Sequence, residues 1–94
     1  MPPSVILSKT AAARLAELPD AERQAVLSAI KELPKRFGRP HLHAGLGIRR
    51  LGHDIFEFRA SLALRGLFYW AAGRIYVDRL GSHDDLQNYL RNVR

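Results

Sequence analysis

The spacing of apolar residues along this chain passes from a helical period to an alternating one and back again. Val5-Ile6-Leu7 is a short unbroken apolar run within Ser4 to Ser8, which predicts a strand. Ser8 then stands where a helix cap belongs, ahead of Ala11, Leu15 and Leu18, which share one face of a helix that Pro19 closes. Asp20 is placed to cap a second helix. Glu22 would sit near its positive end, Ala25, Val26, Ala29, Ile30 and Leu33 form its apolar stripe, and Pro34 is expected to end it. Two short helices, each closed by Leu-Pro and joined with almost no linker, describe an antiparallel helical hairpin. Its apolar stripes need a surface to cover.

Lys35 to Gly47 carries Gly38-Arg39-Pro40 and Gly45-Leu46-Gly47 and reads as an exposed basic loop. From Ile48 onward the pattern alternates: Phe56 and Phe58 fall on one side, Glu57 and Arg59 on the other, as in a half-buried strand. Leu62 to Trp70 predicts a second strand and Arg74 to Leu80 a third, with Ala71-Ala72-Gly73 between them. Ser82 opens a last helix whose Leu86, Leu90 and Val93 recur at helical spacing, with Gln87, Arg91 and Arg94 facing outward. The predicted fold class is α+β: an N-terminal strand and helical hairpin packed on an antiparallel β-meander, with a short C-terminal helix. One such domain, spanning 1–94, is what the length accommodates.

Composition narrows the partners more than the fold. A hydrophobic fraction of 47% is that of a globular chain, and no low-complexity segment is present. The absence of cysteine excludes disulfides and thiolate metal sites and fits a reducing compartment. Met1 to Ser8 lacks the cationic start and long apolar stretch of a signal peptide, and Leu67 to Ala72 is too short to span a bilayer, so a cytoplasmic protein with no membrane partner is expected. A net charge of +6 favours a polyanionic partner, because Lys and Arg near phosphates release condensed counterions.

Three stretches carry a more specific signal: Arg49-Arg50-Leu51, Phe56-Glu57-Phe58-Arg59 and Leu64-Arg65-Gly66-Leu67-Phe68-Tyr69. With the element order, they resemble the RelE/ParE superfamily of bacterial toxins from type II toxin-antitoxin systems, over nearly the whole chain. The resemblance implies a toxin neutralised by a cognate antitoxin protein. It implies either a ribosome-dependent mRNA endonuclease that inhibits translation or, in the ParE manner, a DNA gyrase inhibitor without nuclease activity. An inactive module that only binds an antitoxin is the third reading.

RNA cleavage through the 2′-hydroxyl needs a base, a cation for the crowded phosphorane and an acid for the leaving oxygen. Arg65 matches the family arginine on the scissile phosphate, work that suits a fixed charge with forked donors. Arg59 and Glu57 share a strand face, which Arg65 joins only if the hairpin loop holds an odd number of residues, such as Ala60 to Leu62. Arg59 would then be a second phosphate ligand, and Glu57 a base or an ion-pair partner of the arginines. His83 follows the last strand, where relatives keep a catalytic histidine or basic residue, and imidazole exchanges protons near neutral pH. Ser82-x-x-Asp85 is equally a helix-start signature. Tyr89 falls where RelE-like chains place a functional tyrosine, or else borders the helix stripe as a core-edge residue. Arg49, Arg50, Lys35, Arg36 and Arg39 are the candidate RNA-binding cations.

Asp84 and Asp85 depart from the family pattern and would repel phosphate unless paired with Arg79 or Arg91. His41 and His43, with His83, offer three imidazoles, but nothing else supports a metal, and no metal or cofactor is expected. Tyr69 and Trp70 are expected in the core rather than in a base-stacking platform.

Overall fold

The structure, a computed structural model, describes residues 3–92. Its elements run β1 (Ser4–Leu7), α1 (Lys9–Glu17), α2 (Asp20–Arg36), a short α3 (Pro40–His43) continued by a 3₁₀ turn (Ala44–Leu46), β2 (Arg49–Arg50), β3 (Ile55–Arg59), β4 (Arg65–Ala71), β5 (Arg74–Gly81) and α4 (His83–Asn92). The α+β prediction holds. The expected meander is the centre of a wider sheet, of order β1-β5-β4-β3-β2, in which β1 runs parallel to β5 and every other pair is antiparallel.

The alternation of side chains along β3 to β5 sorts the sheet into two faces. Phe58, Phe68, Ile75, Val77 and Leu80 point to one, where Ala11 and Leu18 of α1 and Val26, Ala29 and Leu33 of α2 complete the core. On the other face α4 packs against β4 and β5, with Leu86 as its buried residue and Leu67 buried on the strand side. Among the described residues no helix is long and apolar enough to cross a membrane.

Ser8 caps α1 as expected, its Oγ accepting from the Ala11 N–H at 3.0 Å. Two expectations for α2 need correction. Asp20 is the first helical residue, not the cap: Pro19 flanks the helix with no side-chain cap, and the Asp20 carboxylate pairs with Arg23 instead. Nor does Pro34 end the helix, which runs on to Arg36. A proline removes one donor from the ladder, but the Phe37 N–H donates to the Leu33 carbonyl at 2.8 Å, and buried Leu33 and half-buried Phe37 hold this last turn against the core.

The predicted loop after Pro34 is therefore mostly helical, comprising the end of α2, α3 and the 3₁₀ turn. The second strand begins at Arg65 rather than Leu62, because Ala60 and Ser61 donate to the Leu64 carbonyl and close the loop between β3 and β4. Gly66 lies opposite Phe58, and a Cβ there would come within 2.2 Å of the Phe58 ring, so only glycine lets that ring lie across the strand.

Tyr69 and Trp70 are 38% and 43% exposed, which corrects their expected core placement. They fall near the C-terminal end of β4, where Tyr69 stacks on Tyr76 and Trp70 lies tilted against the Phe37 ring. Val93 and Arg94 lie outside the described residues.

Candidate functional site

β3 and β4 are joined by five residues, 60–64, and Arg59 is paired directly with Arg65 across the ladder. The odd loop length puts both arginines and Glu57 on the α4 side of the sheet, whereas Phe56 and Phe58 face the core. Glu57 is 1% exposed. Its Oε1 accepts from Arg49 Nε at 3.2 Å and from a terminal nitrogen of Arg65 at 3.3 Å. A carboxylate so placed offsets the burial of its own charge by holding two cations. Of the two sequence alternatives for Glu57, base or ion-pair partner, the contacts drawn are those of a partner.

Arg59 remains exposed, its side chain lying over Gly47: a Cβ on that glycine would fall 3.0 Å from the Arg59 Cβ. On β5, Arg79 is paired with Leu67, and its guanidinium carbon stands 4.2 Å from the centre of the Tyr89 ring. The Tyr89 hydroxyl donates to Asp78 Oδ2 at 2.9 Å, which ties this half-buried side chain back to β5. Arg65 Nε, Arg79 Nε and Glu57 Oε2 are buried without a hydrogen-bond partner among the described residues. Arg65, held by the buried Glu57 carboxylate, and Arg79, held over the Tyr89 ring, thus each keep spare donor capacity on this face, which suits an oxyanion.

Arg65 is paired with Gly81, and His83 follows two residues later as the first residue of α4. The imidazole is exposed and has no hydrogen-bond partner among the described residues. Its neighbours form a capping box: the Asp85 N–H donates to Ser82 Oγ at 3.0 Å and the Ser82 N–H to Asp85 Oδ2 at 3.1 Å. These bonds to Ser82, with Arg14 contributing, hold the Asp85 carboxyl below its usual range. The Asp85 carboxylate is thus tied to the start of its own helix rather than to Arg79 or Arg91, and Asp84 is exposed.

The basic segment divides. Lys35 and Arg36 both pair with Glu32 at 3.3 Å, and Arg39 is exposed. Arg50 donates to the carbonyls of Gly52 and His53 and folds around its own loop. His43 accepts from the Gly38 N–H and stacks near Phe37. No group of three or more His, Cys, Asp or Glu side chains suited to a metal occurs among the described residues. The sequence did not single out Asp78 and gave Arg79 only a charge-pairing part; the placement of both follows from a strand irregularity that composition does not signal.

This geometry is carried by a known fold. The chain aligns with the archaeal RelE-RelB complex from Pyrococcus horikoshii at TM-score 0.70, with 19% identity, covering 87% of this chain and 96% of that one. The toxin-antitoxin complex RelBE2 from Mycobacterium tuberculosis gives the same TM-score of 0.70 and 19% identity, over 88% and 100% of the two chains. The chain has the RelE-type toxin fold. A YoeB/ParE toxin from Agrobacterium tumefaciens shares it at TM-score 0.65 and 13% identity, over 85% and 98%. No protein-family model matches the chain, and no curated protein matches its sequence. At these identities the RelE-type fold is shared and the chemistry has to be argued from the side chains themselves.

Proposed function

We propose that this chain is the toxin of a type II toxin-antitoxin pair and cuts mRNA on the ribosome in the cytoplasm, without a metal. The observation that carries this reading is the Arg59/Arg65 cross-strand pair on the α4 side of the sheet, in which Arg65 is held by buried Glu57 and Arg59 stays exposed. The two guanidinium groups bind the scissile phosphate and stabilise the charge that grows on its oxygens. The 2′-oxygen bonds to the adjacent phosphorus as the bond to the 5′-oxygen breaks. The 2′-hydroxyl proton passes to water and His83 supplies one to the departing 5′-oxygen, leaving a 2′,3′-cyclic phosphate and a 5′-hydroxyl.

Glu57 acts as a positioning residue for Arg65 and Arg49, and Tyr89 braces Arg79 through its ring. Arg39, exposed, and Arg49, exposed though paired with Glu57, extend the phosphate track. Lys35, Arg36 and Arg50 add long-range attraction from positions already tied to Glu32 or to local carbonyls. Since two of the RelE-fold structures are complexes with an antitoxin, a cognate antitoxin is the proposed protein partner.

The experiment is to add the protein to a translating extract and map mRNA ends. Cleavage by the wild type, lost in Arg65→Ala and His83→Ala, is the expected result; intact mRNA with the wild type rejects the reading. One observation favours gyrase inhibition instead: Asp84 is exposed and Asp85 is held ionised beside His83, which sets negative charge where a phosphate would approach. Inhibition of supercoiling with mRNA intact would establish that alternative.

A further inference from the structure

Asp78 is the residue that breaks the β4–β5 ladder. Leu67 is paired with Arg79 and Phe68 with Val77, which leaves Asp78 as the extra residue of a bulge. A bulge re-aims the side chain it carries, and this one is pinned from behind. Ser8 Oγ donates to the Asp78 carbonyl at 2.6 Å, and the Ser8 N–H donates to the Val77 carbonyl at 2.9 Å. The carboxylate lines a cavity of about 280 Å³ together with Ile55, Leu67, Phe68, Tyr69 and Tyr89. Its Oδ2 accepts from Tyr89, and in a chain of net charge +6 it pairs with no cation among the described residues.

We propose that this cavity binds a guanine base of single-stranded RNA; the inference rests on the reading that RNA lies along this face. The walls are apolar or aromatic, and Tyr69 is stabilised by stacking on Tyr76 with ring centres 5.1 Å apart, as a surface for a flat base requires. The single carboxylate accepts hydrogen bonds and offers none. Guanine presents N1–H and N2–H side by side, the donor pair a carboxylate takes in bidentate fashion. Adenine, cytosine and uracil each place an acceptor beside their donor on that edge, which the carboxylate repels. The volume suits one base rather than a run of them. A guanidinium from a protein partner presents similar donors, but the cavity opens on the face that carries Arg59 and Arg65, and this favours RNA.

The test uses short 2′-O-methyl oligouridine strands, which transfer through the 2′-oxygen cannot cut, each holding one guanosine, inosine or adenosine, with affinity read by fluorescence anisotropy. The wild type is expected to bind the guanosine strand at least about fivefold more tightly than the inosine strand, which lacks the 2-amino group. Asp78→Asn abolishes that difference while keeping salt-dependent binding. Its amide oxygen still accepts from Tyr89, and an unchanged thermal midpoint checks the fold. Tyr69→Ala weakens all three strands by about fivefold or more and keeps the preference.

Equal wild-type affinities for guanosine and inosine, or a preference surviving in Asp78→Asn, overturn the proposal. So does an arginine-containing peptide that binds the cavity and is not displaced by the guanosine strand. Guanosine preference without cleavage of unmodified mRNA keeps the cavity assignment and rejects the nuclease reading. Cleavage without base preference rejects the cavity alone, and no RNA binding at all rejects both.

Discussion

Arg59 and Arg65 face each other directly across the β3–β4 ladder, two like charges at a cross-strand pair that would ordinarily destabilise a sheet. The pair is tolerable because Arg65 is tied to Glu57 while Arg59 stays in solvent over Gly47. Two cations held close, with one exposed, form a local field that an incoming phosphate would relieve.

If these arginines contact phosphate, each contributes to the salt dependence of RNA binding. Arg59→Ala and Arg65→Ala should each lower the slope of log affinity against log salt by about 0.7 on a single strand. An unchanged slope in titrations across salt concentrations would place the RNA elsewhere on the surface.

The arginine at 65 is needed for its forked donors as well as its charge. Under the nuclease reading Arg65→Ala should slow single-turnover cleavage by about 10² to 10³, and Arg65→Lys should fall between it and the wild type. Equal rates for Lys and Arg would show that charge alone suffices.

Glu57 is a support for cations, so its loss should be felt in the fold first. Glu57→Ala leaves Arg65 without its buried partner, and a loss of about 1–3 kcal/mol in denaturant unfolding is expected. Arg49 and Arg65 keep some access to water and recover part of their solvation, which sets the value below that of a fully buried pair. Wild-type stability in this variant would contradict the assignment.

Gly66 has no room for a side chain. Gly66→Ala drives a methyl into the Phe58 ring, and since that ring is itself enclosed by the core, a loss of about 1–3 kcal/mol should appear as a lowered thermal midpoint.

The Ser82/Asp85 box gives a pH signature. The folded Asp85 carboxyl lies below its ordinary value of 3.8, so its contribution is fully present above that pH and disappears as pH falls through the folded value. The stability gap between wild type and Asp85→Asn should therefore be constant near neutrality and close below about pH 4. Ser82→Ala should cost about 1 kcal/mol. A gap that widens on acidification would refute the cap.

The order and type of most elements were legible in the chain because they depend on local spacing: the Ser8 cap, the stripes of α1 and α2, the alternation of Phe56 to Arg59 and the Ser82-x-x-Asp85 start of α4. Long-range pairing decided the rest. That β1 joins β5 in parallel is set by where the hairpin deposits it, and α2 passes Pro34 because Leu33 and Phe37 gain the core. The arginines at 59 and 65 were visible as residue types, but their common face required a loop of odd length, which only the closure of Ala60 and Ser61 onto Leu64 fixes. Asp78 has no local signature at all. Its place follows from a one-residue slip between two strands, and a slip of register is a property of the paired sheet and of neither strand alone.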